Sequence, residues 1–148
     1  MTADPLVIEF EVGVGPDHAF DVWTQRCATW WPRSHTMSGD PSAITFEPRS
    51  GGRIVEHASG AEHDWGEVLE WDPPRRLRCL WHPFFDRAEA TELDITFHAT
   101  AAGTAIRLKQ SGWERLGDAA APRRTRTAGA WGVVTAAFAA ACDPRQQR

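Results

Sequence analysis

Residues 63–82 read HDWGEVLEWDPPRRLRCLWH. Two strand-like runs flank Asp72-Pro73-Pro74-Arg75, a turn built around a double proline. On the second run Leu77, Cys79 and Trp81 form one apolar face, the period-two signature of a half-buried strand. The first run is ambiguous. Trp65, Glu67, Leu69 and Trp71 share one parity and Gly66, Val68 and Glu70 the other, and either face can look inward. Gly66 marks a kink or a close approach of another backbone. Trp81 is the expected cavity wall, Trp71 a rim or corner plug beside the turn, and the facing of Trp65 stays open.

The same alternation extends in both directions. Leu6, Ile8, Phe10 and Val12 alternate with Val7, Glu9 and Glu11 in a first strand over residues 6–14. Gly15-Pro16-Asp17 breaks it and suits a helix start. Phe20, Trp23 and Cys27 then recur at helical spacing until Trp30-Trp31-Pro32 stops the helical region. Residues 33–42 form a loop. Further strands are expected at 44–47, 53–58, 63–71, 76–82, 91–99 and 104–113, with a hairpin at Ser59–Glu62 and a loop over 83–90. After Trp113 the period changes: Trp131, Val134, Phe138 and Ala141 lie at i, i+3, i+7 and i+10 on a long C-terminal helix. Gly129 and Gly132 weaken that helix and mark either a bend or a close approach to the sheet. The expected fold is α+β: a curved antiparallel sheet of six or seven strands wrapped around the last helix, with two short helices after the first strand. The space between sheet and helix is the natural ligand site.

Length and charge narrow the function. A chain of 148 residues suits one domain spanning 1–148. A formal net charge of −4 argues against a nucleic-acid partner, which needs concentrated positive charge. Cys27, Cys79 and Cys142 are odd in number and far apart, unlike a disulfide framework or a zinc site. The start MTADPLVIEFEV is no signal peptide, and the alanine-rich tract 128–142 is too short to span a membrane, so a cytoplasmic location is expected. Eight tryptophans and no tyrosine suggest a wide interior with a few polar points for the indole N–H groups.

The segments TFEPRSGGRIVEH, HDWGEVLEWDPPRRLRCLW and LKQSGWERLGD, followed by a helix containing GAWGVV, resemble the SRPBCC superfamily, the START-like or Bet v 1-like helix-grip proteins. Within it they are similar to the bacterial branch related to the C-terminal domain of activators of the Hsp90 ATPase. The resemblance covers nearly the whole chain and implies the helix-grip fold. It leaves function open among lipid and hormone binders, cyclases, hydrolase-like members and co-chaperones. The eukaryotic activators carry a separate N-terminal domain, whereas this chain is expected to begin at the first strand. The likeness to Hsp90 activators is therefore read as ancestry.

Several residues could carry chemistry. Arg49 with Gly51-Gly52 reads chiefly as a tight turn. Glu56 and His63 flank the 59–62 hairpin; Glu56 shares parity with Ile54, and if buried its pKa should rise, making it a general-base candidate. The alternative is an exposed cross-strand pair. Trp31 and His35 stand where the short helices meet the sheet, at the expected cavity mouth, with a solvent-exposed loop histidine as the other reading. Gln110 shares parity with Ile106 and Leu108; it either orients a ligand or bonds the backbone as a core amide. The six histidines show no metal-ligand spacing, and neither metal nor cofactor is expected. Arg123, Arg124 and Arg126 read chiefly as a solvated face, with a small anion- or partner-binding patch as the other reading.

Three functional readings follow. The first is a binding protein for a small, mainly apolar molecule, with walls from Trp65, Trp81, Phe97, Trp131 and Phe138 and polar points at Glu56, Gln110 and His35. The second is an enzyme using Glu56 or His63 as acid or base in that cavity. The third is an interaction protein, a homodimer or a co-chaperone of an Hsp90-type chaperone, working through a sheet face or edge.

Overall fold

The computed structural model describes residues 4–143. Seven strands, β1 (Leu6–Val12), β2 (Ala43–Phe46), β3 (Arg53–Ala58), β4 (Ala61–Asp72), β5 (Arg76–Trp81), β6 (Thr91–Ala99) and β7 (Thr104–Ser111), form one antiparallel sheet in the order β1-β7-β6-β5-β4-β3-β2. Two short helices, α1 (Pro16–Thr24) and α2 (Cys27–Trp30), follow β1, and the long helix α3 (Ala120–Ala141) closes the chain. The architecture is the expected α+β helix-grip arrangement. Pro16 at the start of α1 supplies a preset φ where its missing N–H costs nothing, and Asp17 complements the dipole.

The ambiguity in β4 resolves through two irregularities. The pairing with β3 slips between Ile54 and Val55, so Ile54 opposes Gly66 while Val55 opposes Asp64, leaving Trp65 as the extra residue. The pairing with β5 slips again, Val68 opposing Cys79 and Glu70 opposing Arg78, which leaves Leu69 extra. Each bulge resets the parity of the strand. Trp65, Val68 and Trp71 therefore all contribute to the core, while Glu67 and Glu70 face outward to Arg87 and Arg78. Neither of the two parity sets describes the strand. Gly66 has φ 154°, and a Cβ there would lie 1.9 Å from the Leu80 carbonyl oxygen. That is the close backbone approach expected of it.

Outside, the sheet is charged. Arg76 makes a two-pronged contact with Asp94 at 2.9 and 2.7 Å, and Arg78 bridges Glu92 and Glu70. Inside, the aromatics close on one another. Trp31 lies 5.1 Å from Trp65 and 6.0 Å from Trp81, and Trp81 stacks on Trp131 at 6.0 Å with rings 26° apart. Trp23 packs on Trp30, Trp131 and Phe138. Most of the space between sheet and helix is thus filled by indole, and the tryptophan count reflects a packed core more than a wide cavity. Trp71 sits apart near the Pro73-Pro74 turn, edge-on to Phe20 at 5.1 Å, which is the corner role expected of it.

The α3 face predicted from spacing is present: Trp131, Val134 and Phe138 are buried, as is Cys142 just beyond the helix. The two helix glycines meet neither expectation. A Cβ at Gly129 or Gly132 would meet nothing within 4 Å, and the helix runs through both without interruption. They mark neither a bend nor a close approach. At the Arg49 turn, Gly51 adopts φ 83° and its N–H donates to the Val68 carbonyl at 2.8 Å. The turn is structural, as its chemistry indicated.

Candidate functional site

A cleft of about 120 Å³ opens between the sheet, the loop after β5 and α3. Its lining includes Trp31, Trp81 and Trp131 as aromatic walls, Phe84 and Phe85 at the lip, and Gln110, His35 and Arg123 as polar points. The volume is that of an apolar cavity the size of about one aromatic ring, and the cleft is open to the outside at its lip.

The floor is a chain of buried hydrogen bonds. The Trp131 indole donates to Gln110 Oε1 at 2.7 Å, Gln110 Nε2 donates to Thr91 Oγ1 at 2.7 Å, and Thr91 donates to the Trp81 carbonyl at 3.3 Å. The Trp113 indole reaches the Gln110 carbonyl at 2.9 Å. Gln110 is 2% exposed, so its amide could not stay unpaired without cost. The glutamine is a core amide, but its side chain bonds the Trp131 and Thr91 side chains in place of the backbone, and it also lines the cleft. It fixes the tilt of the Trp131 ring, one wall of the cleft.

Glu56 is fully buried, as its parity with Ile54 implied. Its carboxylate accepts the Met37 amide at 2.8 Å and the Trp65 indole at 3.0 Å on Oε1, and the Ser38 amide at 2.8 Å on Oε2. Burial pushes its pKa up, but bonds from Ser38, Met37 and Trp65 outweigh that and hold it below the ordinary value. The expected upward shift is reversed. A carboxylate ionised and occupied by donors is a tether for the 36–38 loop and a poor proton acceptor. His63 opposes Glu56 in the strand register but is not among its hydrogen-bond partners, and neither residue lines the cleft.

Of the other residues singled out from sequence, Trp31, His35, Trp81, Gln110 and Trp131 come together at the cleft. Trp65, Phe97 and Phe138 do not line it. Trp65 packs between Trp31 and Trp81 with its N–H on Glu56, Phe97 packs on Phe20, and Phe138 lies against Trp23, Trp30 and Phe10. At the rim, the His35 ring meets Ser34 Oγ at 2.9 Å through Nδ1, and its carbonyl accepts the Trp31 indole at 3.2 Å.

Sequence reasoning missed Phe84 and Phe85, and it set Arg123 aside with its charged neighbours as chiefly a solvated face. Phe85 N–H donates to the His82 carbonyl at 2.9 Å, and the Phe85 carbonyl lies 3.1 Å from His82 Nδ1. A carbonyl only accepts, so Nδ1 carries the proton. This clamp holds Phe84 at φ 74° and 55% exposed, an unfavourable backbone state for a bulky residue that is sustained by its surroundings. Arg123 is 6% exposed, with its guanidinium 3.5 Å from the Phe85 ring centroid and Nη1 donating to the Glu89 carbonyl at 2.8 Å. The expectation that it belongs to a solvated face does not hold. The readable signal was helical: Arg123, Thr127, Trp131 and Val134 share one face of α3 and all line the cleft.

Among the described residues no group of three or more His, Cys, Asp or Glu side chains could hold a metal ion, and no helix is long and apolar enough to cross a membrane.

The sheet gripping one long helix over an aromatic cleft defines a Bet v 1-like, SRPBCC-class protein. Within that class the chain belongs to the family described as Activator of Hsp90 ATPase homolog 1-like protein, which matches residues 14–143. It is similar to the anthrahydroquino-Gama-pyrone synthase Txn09, solved in complex with SUM, at 34% identity over 78% of this chain and 81% of that one, TM-score 0.58. It also shares its fold with protein MLL2253 from Mesorhizobium loti at 22% identity (92% and 94% of the two chains, TM-score 0.69). The Aha1 dimer from Colwellia psychrerythraea has the same fold at 16% identity (95% and 97%, TM-score 0.68). No curated protein matches the chain.

Proposed function

We propose that the protein binds a small, mainly apolar, planar molecule in the cleft between Trp31, Trp81, Trp131 and the 83–85 loop. The observation that carries this reading is the cleft itself: three indoles with a buried amide fixing one of them, opening beneath two exposed phenylalanines. Apolar walls with few fixed polar groups are the usual form of a small-molecule site. Burial of ring area on these walls supplies the affinity, at roughly 25 cal/mol per Å².

A second reading, turnover of the bound molecule, is favoured by the 34% identity to a synthase. On that reading the acid–base group is His35, since Glu56 and His63 lie off the cleft and Glu56 is saturated by donors. The partner reading, homodimer or chaperone, draws support from the family and from a dimeric neighbour alone.

The test combines native mass spectrometry of freshly purified protein with calorimetric titration of the neutral probe 2-naphthamide. A retained small molecule, or saturable probe binding lost in Trp131→Ala, supports the reading. No retained mass together with no probe binding contradicts it.

A further inference from the structure

The described residues include two buried charged side chains, Glu56 and Arg123, and they are treated in opposite ways. Glu56 is met by three N–H donors. Arg123 donates once, to a backbone carbonyl, and among the described residues it forms no ion pair like those of Arg76, Arg78 and Arg87 on the surface. The Glu89 carboxylate acts on it only through space, and Arg126 adds a like charge. The remaining N–H groups of the Arg123 guanidinium are not among the buried polar atoms left without a partner, so they stay open to solvent and free to meet an acceptor. The Phe85 ring beneath it screens one face without accepting in the guanidinium plane. Arg123 itself lines the cleft that Trp31, Trp81 and Trp131 wall.

Resting on the binding reading above, we infer that the natural occupant is a planar aromatic acid, its ring set against the sides that Trp31, Trp81 and Trp131 turn to the cleft and its ionised oxygen, carboxylate or phenolate, held by Arg123. The guanidinium is planar, always charged and suited to a two-pronged contact with such a group. Glu89, through its carbonyl, and Phe85 hold the guanidinium in place before the ligand arrives, so little side-chain freedom is lost on binding. The ring walls then determine shape and Arg123 determines charge.

The experiment compares 2-naphthoate with the isosteric neutral 2-naphthamide by calorimetry, on the wild type, Arg123→Met and Arg123→Lys. The naphthoate is expected to bind the wild type about tenfold or more tighter than the amide, in keeping with a charged hydrogen bond. Arg123→Met should erase that preference while the amide still binds, and Arg123→Lys should restore part of it. Equal affinity of the two probes for the wild type overturns the inference and leaves the binding reading standing. Binding of neither overturns both. Because the wild-type comparison needs no variant, misfolding of Arg123→Met leaves the inference open to refutation.

Discussion

Glu56→Gln is the most informative single change, because it separates a tether from a catalyst. In the wild type Oε1 accepts two N–H groups and Oε2 a third. A glutamine keeps one acceptor oxygen, which can serve Met37 and Trp65. Its amide nitrogen then faces the Ser38 N–H, donor against donor, and a flipped amide only moves the conflict. The loss is one hydrogen bond to a charged acceptor, about 1.5–3 kcal/mol, plus a buried donor left partly unpaired, for a total of about 2–4 kcal/mol. In a domain of this size each kcal/mol shifts Tm by about 3 °C, so a fall of about 6–12 °C is expected by calorimetry at neutral pH. The pH dependence has a definite sign. The folded pKa of Glu56 lies below the ordinary value of 4.5, so its contribution is complete above that value and is lost as pH falls through the folded pKa. The gap between wild type and variant should therefore narrow in acid. Probe binding at the cleft should change little. A variant with unchanged Tm, or a gap that persists undiminished in acid, refutes the tether; wild-type Tm with abolished turnover would restore the general base.

Gly129→Ala and Gly132→Ala should each stabilise the protein by up to about 1 kcal/mol, read by denaturant melts, since both sites are exposed helix interior and a Cβ meets nothing there. Trp131→Phe should cost more than Trp23→Phe: the first strands Gln110 Oε1, whereas the Trp23 indole N–H is buried without a partner and its removal relieves a penalty. Burial pushes the thiols of Cys27, Cys79 and Cys142 up, Cys142 to about 12, so native protein should not react with a thiol reagent at pH 8 until it is unfolded in denaturant.

The fold was legible because strand alternation and turn residues are local. Leu77, Cys79 and Trp81 declare a face without help, and Trp131, Val134 and Phe138 do the same on a helix. The facing of Trp65 was not legible, since it depends on two bulges that exist only through the pairing of β4 with its neighbours. Glu56 was correctly placed inside by parity, but its pKa went the other way because its donors come from residues 37 and 38, in a loop whose sequence carries no pattern. Arg123 was hidden in a cluster of like charges. Following the α3 face back from Trp131 through Thr127 would have turned it inward. Phe84 and Phe85 form a lip only because His82 clamps the loop, a contact that spacing does not announce.

The central claim is that the ligand enters beside Trp131. It is tested most directly by two-dimensional NMR of the indole N–H groups, assigned by single Trp→Phe variants, during titration with 2-naphthoate. The account predicts progressive shifts at Trp31, Trp81 and Trp131, with Trp71 stationary at the opposite corner beside Phe20. An unmoved Trp131, or shifts centred on Trp71, would contradict it.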